Sequence, residues 1–294
     1  MPVNGPVLVA TDLSESSLEA LRQGAHYADV LQSALVVCHV VPELSQVRVL
    51  FPHLSGVDAR VLDTLTAHAR TAVAAQFMAA TGRAVSAETI VVETGSPHGG
   101  IRAAAERAGA GLVVVGSGAT AARVAHDAPW AVLVARAVRG GGILAATDFS
   151  DPALPAIEAG VREARRRHVS LRVLHAVDFD LASPALGLGP PVLMPLPFDA
   201  EEALVDGARA QLKDALNRFD GVGEALVVRG AAASAIIQAA AASETALVVV
   251  GTHGRTALRR LLLGSVADRV LREAPSSVLA VPLRTDSAPP LAAA

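Results

Sequence analysis

The chain has 294 residues, enough for about two domains of ordinary size. It carries 25 basic and 28 acidic residues, a formal net charge of −3, and no block of five like charges, so neither a nucleic acid nor a membrane surface is an expected partner. Aromatic residues make up only 3% of a chain that is 52% hydrophobic, which indicates a core of Ala, Val and Leu, typical of helices packed on a sheet.

Apolar, β-rich segments recur along the chain and predict ten strands. They are too continuous for half-exposed strands, so each is expected to be buried on both faces. The first five lie at about residues 6–11, 34–41, 85–92, 111–116 and 131–136, and the second five at 142–147, 170–177, 222–229, 246–251 and 277–282.

Between the strands, apolar residues recur at helical spacing. Val61, Leu65 and Ala69 follow one another every four residues, as do Leu204 and Ala208, which predicts one-sided helices. Strands that alternate with helices predict a doubly wound parallel sheet with helices on both faces. In such sheets ligands bind beyond the carboxyl ends of the strands, at the point where the strand order reverses.

The chain consists of two copies of one unit. Thr-Asp-Leu-Ser around Asp12 recurs as Thr-Asp-Phe-Ser around Asp148, an offset of 136 residues. The offset between equivalent residues is 135 at Gly116 and Gly251, and it rises to 146 at Arg123 and Arg269. The first copy therefore lacks 11 residues that the second has between Gly251 and Gly264. The fifth strand of each copy is an edge that needs cover, and we expect the copies to pack on each other as a pseudo-dimer.

A glycine pattern follows the fourth strand of the second copy. Gly251 and Gly254 are separated by two residues, and after nine more come Gly264 and Ser265, where a helix is predicted to begin. Glycines let the backbone approach an anion closely, and the amides of Gly264, Ser265 and Val266 would point outward from the helix N-terminus. The pattern therefore predicts a phosphate-binding loop.

Several polar residues could assist at this crevice, each with a structural alternative. Arg255, Arg259 and Arg260 could neutralise phosphate charge or simply be solvated. Asp148 could accept from a ribose hydroxyl or an adenine amine, or help to hold a cation, or it could cap the next helix, although Ser150 is the nearer cap.

Three histidines are weaker candidates for the same crevice. His253, between the loop glycines, could reach a phosphate or solvent. His39 and His175 occupy equivalent positions at the ends of the second strands, where a structural role is the more common one.

With these motifs the chain resembles a tandem universal stress protein from about residue 3 to 284, and its second copy resembles the ATP-binding branch of that family. The resemblance implies a stress-response protein that binds ATP, with or without Mg²⁺, in the second copy. Including Arg255 from the loop, the expected binding residues are Ala146, Thr147, Asp148, Ala176 or Val177 beside adenine, Gly251, Gly254, Arg255, Gly264, Ser265 and Val266. The second copy departs from the family pattern at Ala232 and Ala246, neither of which is in the phosphate loop.

The first copy departs where the phosphates would bind. It reads Gly116-Ser117-Gly118-Ala119 and then enters its helix, so the nine-residue span is absent and Ala119 replaces the serine. Asp12 is retained, so an adenine end can persist without a grip on a triphosphate.

The expected boundaries follow from the two copies. They are a domain over 1–138 with the shortened loop, a domain over 139–284 with the intact loop, and a disordered tail over 285–294 that contains consecutive prolines. The segments 42–57 and 181–198 are predicted surface loops. The second is rich in Pro and Gly, and it is either a lid or an unstructured insertion.

Three functional hypotheses follow. The first is a regulatory protein that responds to bound ATP, with no catalytic residue assigned. No G-x-x-x-x-G-K-[ST], G-x-S-x-G or H-E-x-x-H motif occurs, and the only lysine, Lys213, lies within a predicted helix. The second is a slow ATPase or autophosphorylating enzyme that uses Asp148 and a metal. The third is a nucleotide-independent scaffold with a relic loop.

The remaining features concern the compartment. The single cysteine, Cys38, excludes an internal disulfide and lies in an apolar run, which indicates a buried hydrophobe rather than a reactive thiol. The first residues lack a basic region followed by an apolar stretch, and no apolar run reaches the roughly 18 residues of a membrane span. We expect a soluble, cytoplasmic protein whose partner is an adenine nucleotide. A homodimer remains open, and the sequence does not identify a protein partner.

Overall fold

A computed structural model of the protein describes residues 5–41, 58–126, 128–137, 140–150, 153–178, 198–253 and 263–283. The predicted surface loop at 42–57, the second loop as far as residue 197, and the tail at 285–294 lie outside the described residues. Phe198, which was assigned to the second loop, is instead the first residue of a helix.

Strands and helices alternate in each copy. The strands are β1 Val7–Thr11, β2 Leu35–Val41, β3 Ile90–Thr94, β4 Leu112–Gly116, β5 Ala131–Ala135, β6 Ile143–Ala146, β7 Leu171–Val177, β8 Glu224–Arg229, β9 Leu247–Gly251 and β10 Ser277–Val281. The α-helices of the described residues are α1 Leu18–Val30, α2 Asp58–Thr81, α3 Pro97–Ala108, α4 Ala119–His126, α5 Leu154–Arg167, α6 Phe198–Asn217, α7 Ala232–Ala242 and α8 Ser265–Glu273.

The third strand differs most from its prediction. It was expected over 85–92, but β3 is Ile90–Thr94 and is preceded by a short 3₁₀ helix at Ala87–Thr89. Strand pairing decides the outcome, because Val37 to Val41 of β2 pair in parallel with Ile90 to Thr94. Residues 86–89, Ser-Ala-Glu-Thr, interrupt the apolar pattern after Val85, and the pairing with β2 begins only at Ile90.

The ten strands form one sheet in the order β3-β2-β1-β4-β5-β10-β9-β6-β7-β8. Within each copy all pairs are parallel, and the copies join through the antiparallel pair β5 and β10. Leu133 lies opposite its repeat equivalent Leu279, so the junction is self-complementary, as in an isologous dimer interface. This confirms the predicted α/β fold of two doubly wound five-stranded units packed as a pseudo-dimer.

Helices cover both faces of the sheet. Successive strand residues point to opposite faces, so Val7 and Val9 of β1 belong to one buried cluster, while Leu8 and Ala10 belong to the other. Both clusters contain residues of both copies, so the core is continuous across the junction. The predicted burial on both faces is confirmed for central strands such as β1 and β4, but it is wrong for the edge strands β3 and β8, which are mostly half-exposed because each has a neighbouring strand on one side only.

Polar contacts reinforce the junction between the copies. The side-chain amide of Gln23 in α1 donates to the Arg136 carbonyl at 2.8 Å and to the Ser277 hydroxyl at 3.0 Å, and the Ser277 hydroxyl also accepts from the Arg136 amide at 3.0 Å. Gln23 is 8% exposed and Ser277 is 3% exposed. These contacts fix the register of β5 and β10 from one flank.

Cys38, singled out in the sequence, and Trp130 are both buried. Cys38 is fully buried, and burial is the main cause that raises the pKa of its thiol to about 12, as expected for a small core residue. Trp130 lies buried just before β5. Among the described helices, none combines the length and the apolar character that a membrane span requires.

Candidate functional site

Polar residues follow the strands at the point where the strand order of the second copy reverses. β6 pairs in parallel with β7 on one side and with β9 on the other. Thr147 and Asp148 follow β6, while Thr252 and His253 follow β9, so all four lie at the same carboxyl edge of the sheet. Doubly wound sheets bind their ligands in this crevice.

A pocket opens at this edge and brings most of the predicted binding residues together. Its lining includes Ala146, Thr147, Asp148, Ala176, Gly251, Gly264, Ser265 and Val266. Val177, the alternative to Ala176, is not among the lining residues, and its carbonyl accepts a hydrogen bond from the Gly230 amide at 2.9 Å. Gly254 and Arg255 lie outside the described residues, as do Arg259 and Arg260.

The rest of the pocket is an apolar wall that the sequence did not predict. Leu174 and Val250 come from the strands, and Ala232 and Ile236 come from the first turns of α7. Ala153 and Ala267 complete it. A mostly apolar pocket with a few polar groups at one end is the usual form of a small-molecule site.

Asp148 has a structural role as well as a place in the pocket. Its Oδ1 accepts hydrogen bonds from the Ser150 amide at 3.0 Å and from the Ser150 hydroxyl at 2.5 Å. These bonds hold a tight turn in which Phe149 has a φ of 63°. Ser150 does not cap the next helix, because α5 begins only at Leu154 and Ala153 is its N-cap. The carboxylate therefore shapes the turn that presents it to the pocket.

The N-terminus of α8 closes the polar end of the pocket, and it differs from the prediction at Gly264. The Gly264 amide is not directed at a ligand, because it donates to the Thr252 carbonyl at 2.8 Å. Gly264 is the N-cap residue, with φ −62° and ψ 145°, a conformation open to any residue. The amides of Ser265 and Val266 have no hydrogen-bond acceptor among the described residues, as expected in a first helical turn.

His253 contributes a second group without a partner. Its Nδ1 lies 2.8 Å from the Thr252 hydroxyl, and its Nε2 is buried without a hydrogen-bond partner among the residues described. A buried polar atom without a partner is costly, so a hydrogen-bonding ligand in this pocket would relieve that cost. Which ring nitrogen carries the proton depends on the tautomer.

His39 and His175 hold equivalent structural positions. Their Nδ1 atoms lie 2.9 Å from the carbonyl oxygens of Thr11 and Thr147 respectively. The ring of His175 also packs on Phe149, with 4.1 Å between the ring centroids. Both histidines therefore tie the second strand of a copy to the turn after its first strand.

The first copy has a pocket at the equivalent place, with a different polar end. Asp12 lines it, together with Gly116, Ser117 and Gly118. β4 ends at Gly116 and α4 begins at Ala119, so only two residues connect them. Burial acts to raise the pKa of Asp12, but hydrogen bonds from Ser14 and Ser17 outweigh it and hold that pKa below its ordinary value of 3.8. The first copy therefore keeps the turn after its first strand, at Asp12, but lacks the nine-residue loop that follows the fourth strand in the second copy.

The described residues contain no cluster of three or more His, Cys, Asp or Glu side chains that could hold a metal ion by themselves. Asp148 is the only carboxylate that lines the second-copy pocket within the described residues. A metal ion there would need ligands from a bound molecule, which is how Mg²⁺ commonly binds beside phosphates.

Comparisons with known proteins identify the family. The sequence model of the universal stress protein family matches residues 4–136 and 142–282. A universal stress protein of Thermus aquaticus is 36% identical over 144 residues, which cover 47% of this chain and 96% of that protein. One of Methanocaldococcus jannaschii is 31% identical over 147 residues, which cover 47% of this chain and 80% of that protein.

A solved structure shows the same fold over nearly the whole chain. A universal stress protein from Archaeoglobus fulgidus superposes with a TM-score of 0.59 at 18% identity and covers 96% of this chain and 98% of that one. The chain therefore belongs to the universal stress protein family, and both of its copies match the family model.

Proposed function

We propose that this protein binds ATP in its second copy and acts as a regulator in the stress response whose state depends on the bound nucleotide. The observation that carries this proposal is the free first turn of α8, where Ser265 and Val266, whose amides have no acceptor among the described residues, line a mostly apolar pocket. A helix N-terminus with unpaired amides favours an anion, and the apolar wall beside it favours a base.

The proposed roles follow the chemistry of the lining. Adenine lies against Ala146 and Ala176, on the apolar wall. Asp148 accepts a hydrogen bond from a ribose hydroxyl, and it is also the carboxylate available for Mg²⁺ beside the phosphates. Ser265 and Val266 bind phosphate oxygens through their amides, and Gly264 allows close approach because it has no side chain. Gly251, the last residue of β9, also lines the pocket.

The organisation of the chain is part of the same proposal. We propose a domain over 1–138 that lacks the phosphate loop, a domain over 139–284 that has it, and a tail over 285–294. We place the protein in the cytoplasm. A net charge of −3 supports a small-molecule partner rather than a nucleic acid. Whether two chains form a homodimer is a separate question, since β5 and β10 already cover each other.

A second candidate function is slow hydrolysis of ATP or autophosphorylation through Asp148 and a metal ion. Its support is the position of Asp148 at the pocket. Against it stands the hydrogen bonding of Asp148 Oδ1, which accepts from the Ser150 amide and hydroxyl. A third candidate, a scaffold that needs no nucleotide, is favoured only by the loss of the loop in the first copy.

Paired substitutions at the two equivalent aspartates test the proposal. Asp148→Asn keeps an oxygen for the turn but removes the charge, and the affinity for ATP in isothermal titration should fall by about tenfold or more. Asp12→Asn is the matched control and should leave that affinity unchanged. Equal losses in the two variants would contradict the assignment to the second copy, and no ATP binding by the wild-type chain would reject the function itself.

A further inference from the structure

A cavity of about 340 Å³ lies between the two copies, and we name it the junction cavity. Its buried apolar residues, such as Leu112, Ala159 and Leu279, belong to the core cluster that also contains residues of α1 and α5. The apolar residues of the two pockets at the strand ends, such as Val115 and Val250, belong to the cluster on the other face of the sheet. The junction cavity is therefore separate from both of those pockets.

The junction cavity lies where the two copies differ at equivalent positions. On one side of the junction, the Gln23 amide of α1 fills the corresponding space and donates to the Ser277 hydroxyl of β10. At the repeat offset of 136, the equivalent of Gln23 is Ala159. At the offset of 146, the equivalent of Ser277 is Ala131. Ala159 and Ala131 both line the cavity, so two methyl groups stand where the other side has a hydrogen-bonded pair.

The inner part of the junction cavity is apolar and suits a small hydrocarbon chain. Leu112 and Leu279 are buried, and the half-buried Leu31 and Val281 extend the same surface. A molecule in liquid water occupies about 30 Å³, so the cavity has room for a ligand of about ten non-hydrogen atoms. Removing an alkyl chain from water onto these side chains is favourable.

The most exposed lining residues of the junction cavity are arginines, which therefore mark its mouth. Roughly half of the side chain of Arg162, and of Arg165, is exposed. Arg162 pairs with Glu158 at 4.0 Å, and Arg165 pairs with Asp220 at 3.0 Å. Exposed ion pairs of this kind contribute little to stability, so the carboxylate of a ligand can compete for both guanidinium groups.

Glu163 does not oppose an anion at this mouth, although within the described residues it is the only carboxylate that lines the junction cavity. It pairs with Arg166 and Arg167, and it accepts a hydrogen bond from the Tyr27 hydroxyl. Its charge is therefore compensated inside the structure, and the lining as a whole is positive.

We propose that the junction cavity binds an amphipathic monocarboxylate with the size of a fatty acid of about eight carbons. The alkyl chain lies against Leu112, Leu279 and Ala159, and the carboxylate accepts hydrogen bonds from Arg162 and Arg165 at the mouth. Both copies contribute lining residues, so the site is complete only in the full chain. Because such a ligand binds the joined copies, it should stabilise the folded chain.

Isothermal titration of the full chain with octanoate tests this proposal. Octylamine has the same chain with the opposite charge, and acetate has the carboxylate without the chain, so each should bind at least about tenfold more weakly than octanoate. No binding of octanoate, or binding no tighter than that of either comparison compound, would overturn the proposal. The affinity for octanoate should be the same with and without ATP, and displacement by ATP would place octanoate in a strand-end pocket instead.

Filling the junction cavity provides a second test. Ala159→Gln introduces the side chain that Gln23 has on the other side of the junction, and it should weaken octanoate binding by about tenfold or more. Ala210→Gln is the matched control, because Ala210 is an exposed residue of α6 that does not line the cavity. Unchanged octanoate affinity in a folded Ala159→Gln chain would contradict the site.

An arginine at the mouth gives a test that leaves the core untouched. Arg162→Gln should weaken octanoate binding by about tenfold while leaving the affinity for ATP unchanged. Arg209→Gln is the matched control, because Arg209 is similarly exposed, pairs with Asp206 at 2.6 Å and does not line the cavity. Equal losses in the two variants would overturn the proposal, and this comparison decides the question should Ala159→Gln not fold.

Discussion

The hydroxyl of Tyr27 in the first copy donates a hydrogen bond of 2.9 Å to the Glu163 carboxylate in the second. Both residues are almost fully buried, at 3% and 5% exposed. Arg167 donates to the same hydroxyl at 2.9 Å, and its guanidinium carbon lies 5.7 Å from the centre of the tyrosine ring. Arg166 also pairs with Glu163. The two copies thus meet in a buried polar cluster in which each of these side chains has a partner.

This cluster predicts an unusual titration of the only tyrosine in the chain. Burial, and then the charge of Glu163, raise the pKa of Tyr27 above its ordinary value of 10.0. The folded protein should therefore show no tyrosinate absorbance at the pH where urea-unfolded chain titrates. Above pH 10 the unfolded state loses this proton first, so the free energy of unfolding should decrease as pH rises.

Tyr27→Phe provides the control for that titration. It should remove this contribution to the pH dependence at a cost of about 1 kcal/mol in the free energy of unfolding, since Arg166 and Arg167 still pair with Glu163. Ionisation of native Tyr27 near pH 10 would mean that the cluster is not formed.

The continuous sheet predicts that the two copies associate even when the chain is cut. Residues 1–138 and 139–284, produced as separate chains, should form a one-to-one complex, because each exposes an apolar edge strand that the other covers. Size-exclusion chromatography with light scattering measures this directly. Two monomers with no complex at micromolar concentrations would show that the junction depends on the covalent connection.

Gly264→Val should abolish ATP binding and leave the fold intact. Among the described residues, an added Cβ at Gly264 would meet only the Thr252 carbonyl oxygen, at 3.4 Å, and the backbone there is already extended, so a valine should fit the chain itself. Its methyl groups would instead occupy the space through which a phosphate approaches Ser265. Thermal unfolding and isothermal titration separate these two effects.

Gly207→Val in α6 serves as the comparison for that variant. An added Cβ at Gly207 meets no atom of the described residues within 4 Å, and α6 contributes no residue to the lining of the second-copy pocket, so the affinity for ATP should be unchanged. A folded Gly264→Val protein with wild-type affinity would contradict the phosphate position proposed here.

ATP should be bound without efficient turnover. Rapid phosphoryl transfer requires a positioned nucleophile and groups that stabilise charge on the transferred phosphoryl group, and kinases reach ~1–100 turnovers per second with them. Here Asp148 is the only lining carboxylate among the described residues, and the only lysine, Lys213, lies on α6. We expect fewer than roughly one turnover per minute. A rate above one per second that disappears in Asp148→Ala would instead support an enzyme.

The parts of the fold that repeat were predictable, because the apolar strands of both copies carry the same pattern twice. The start of β3 was predicted five residues too early, at Val85, because the local sequence does not show where the pairing with β2 begins. The junction at Leu133 and Leu279 was predicted from the need to cover an edge strand, but its antiparallel register is a property of the paired surfaces.

The place of the pocket in the fold was predictable from Asp148, which comes shortly after β6, and from Ser265, where a helix was expected to begin. The wall formed by Ala232 and Ile236 was not, because α7 is rich in alanine on every side and its sequence does not indicate which face meets the sheet. The role of Gly264 was also misjudged, since a glycine in the sequence does not reveal whether its φ is positive or whether its amide is already bonded to Thr252.

The most direct test is the number of ATP molecules bound per chain. Isothermal titration of nucleotide-free wild-type protein should give one tight site per chain, and acid extraction of protein purified without added nucleotide should yield close to one adenine nucleotide per chain. Two equivalent tight sites would show that the first copy binds ATP despite its missing loop. No tight site at all would show that the free first turn of α8 does not bind phosphate.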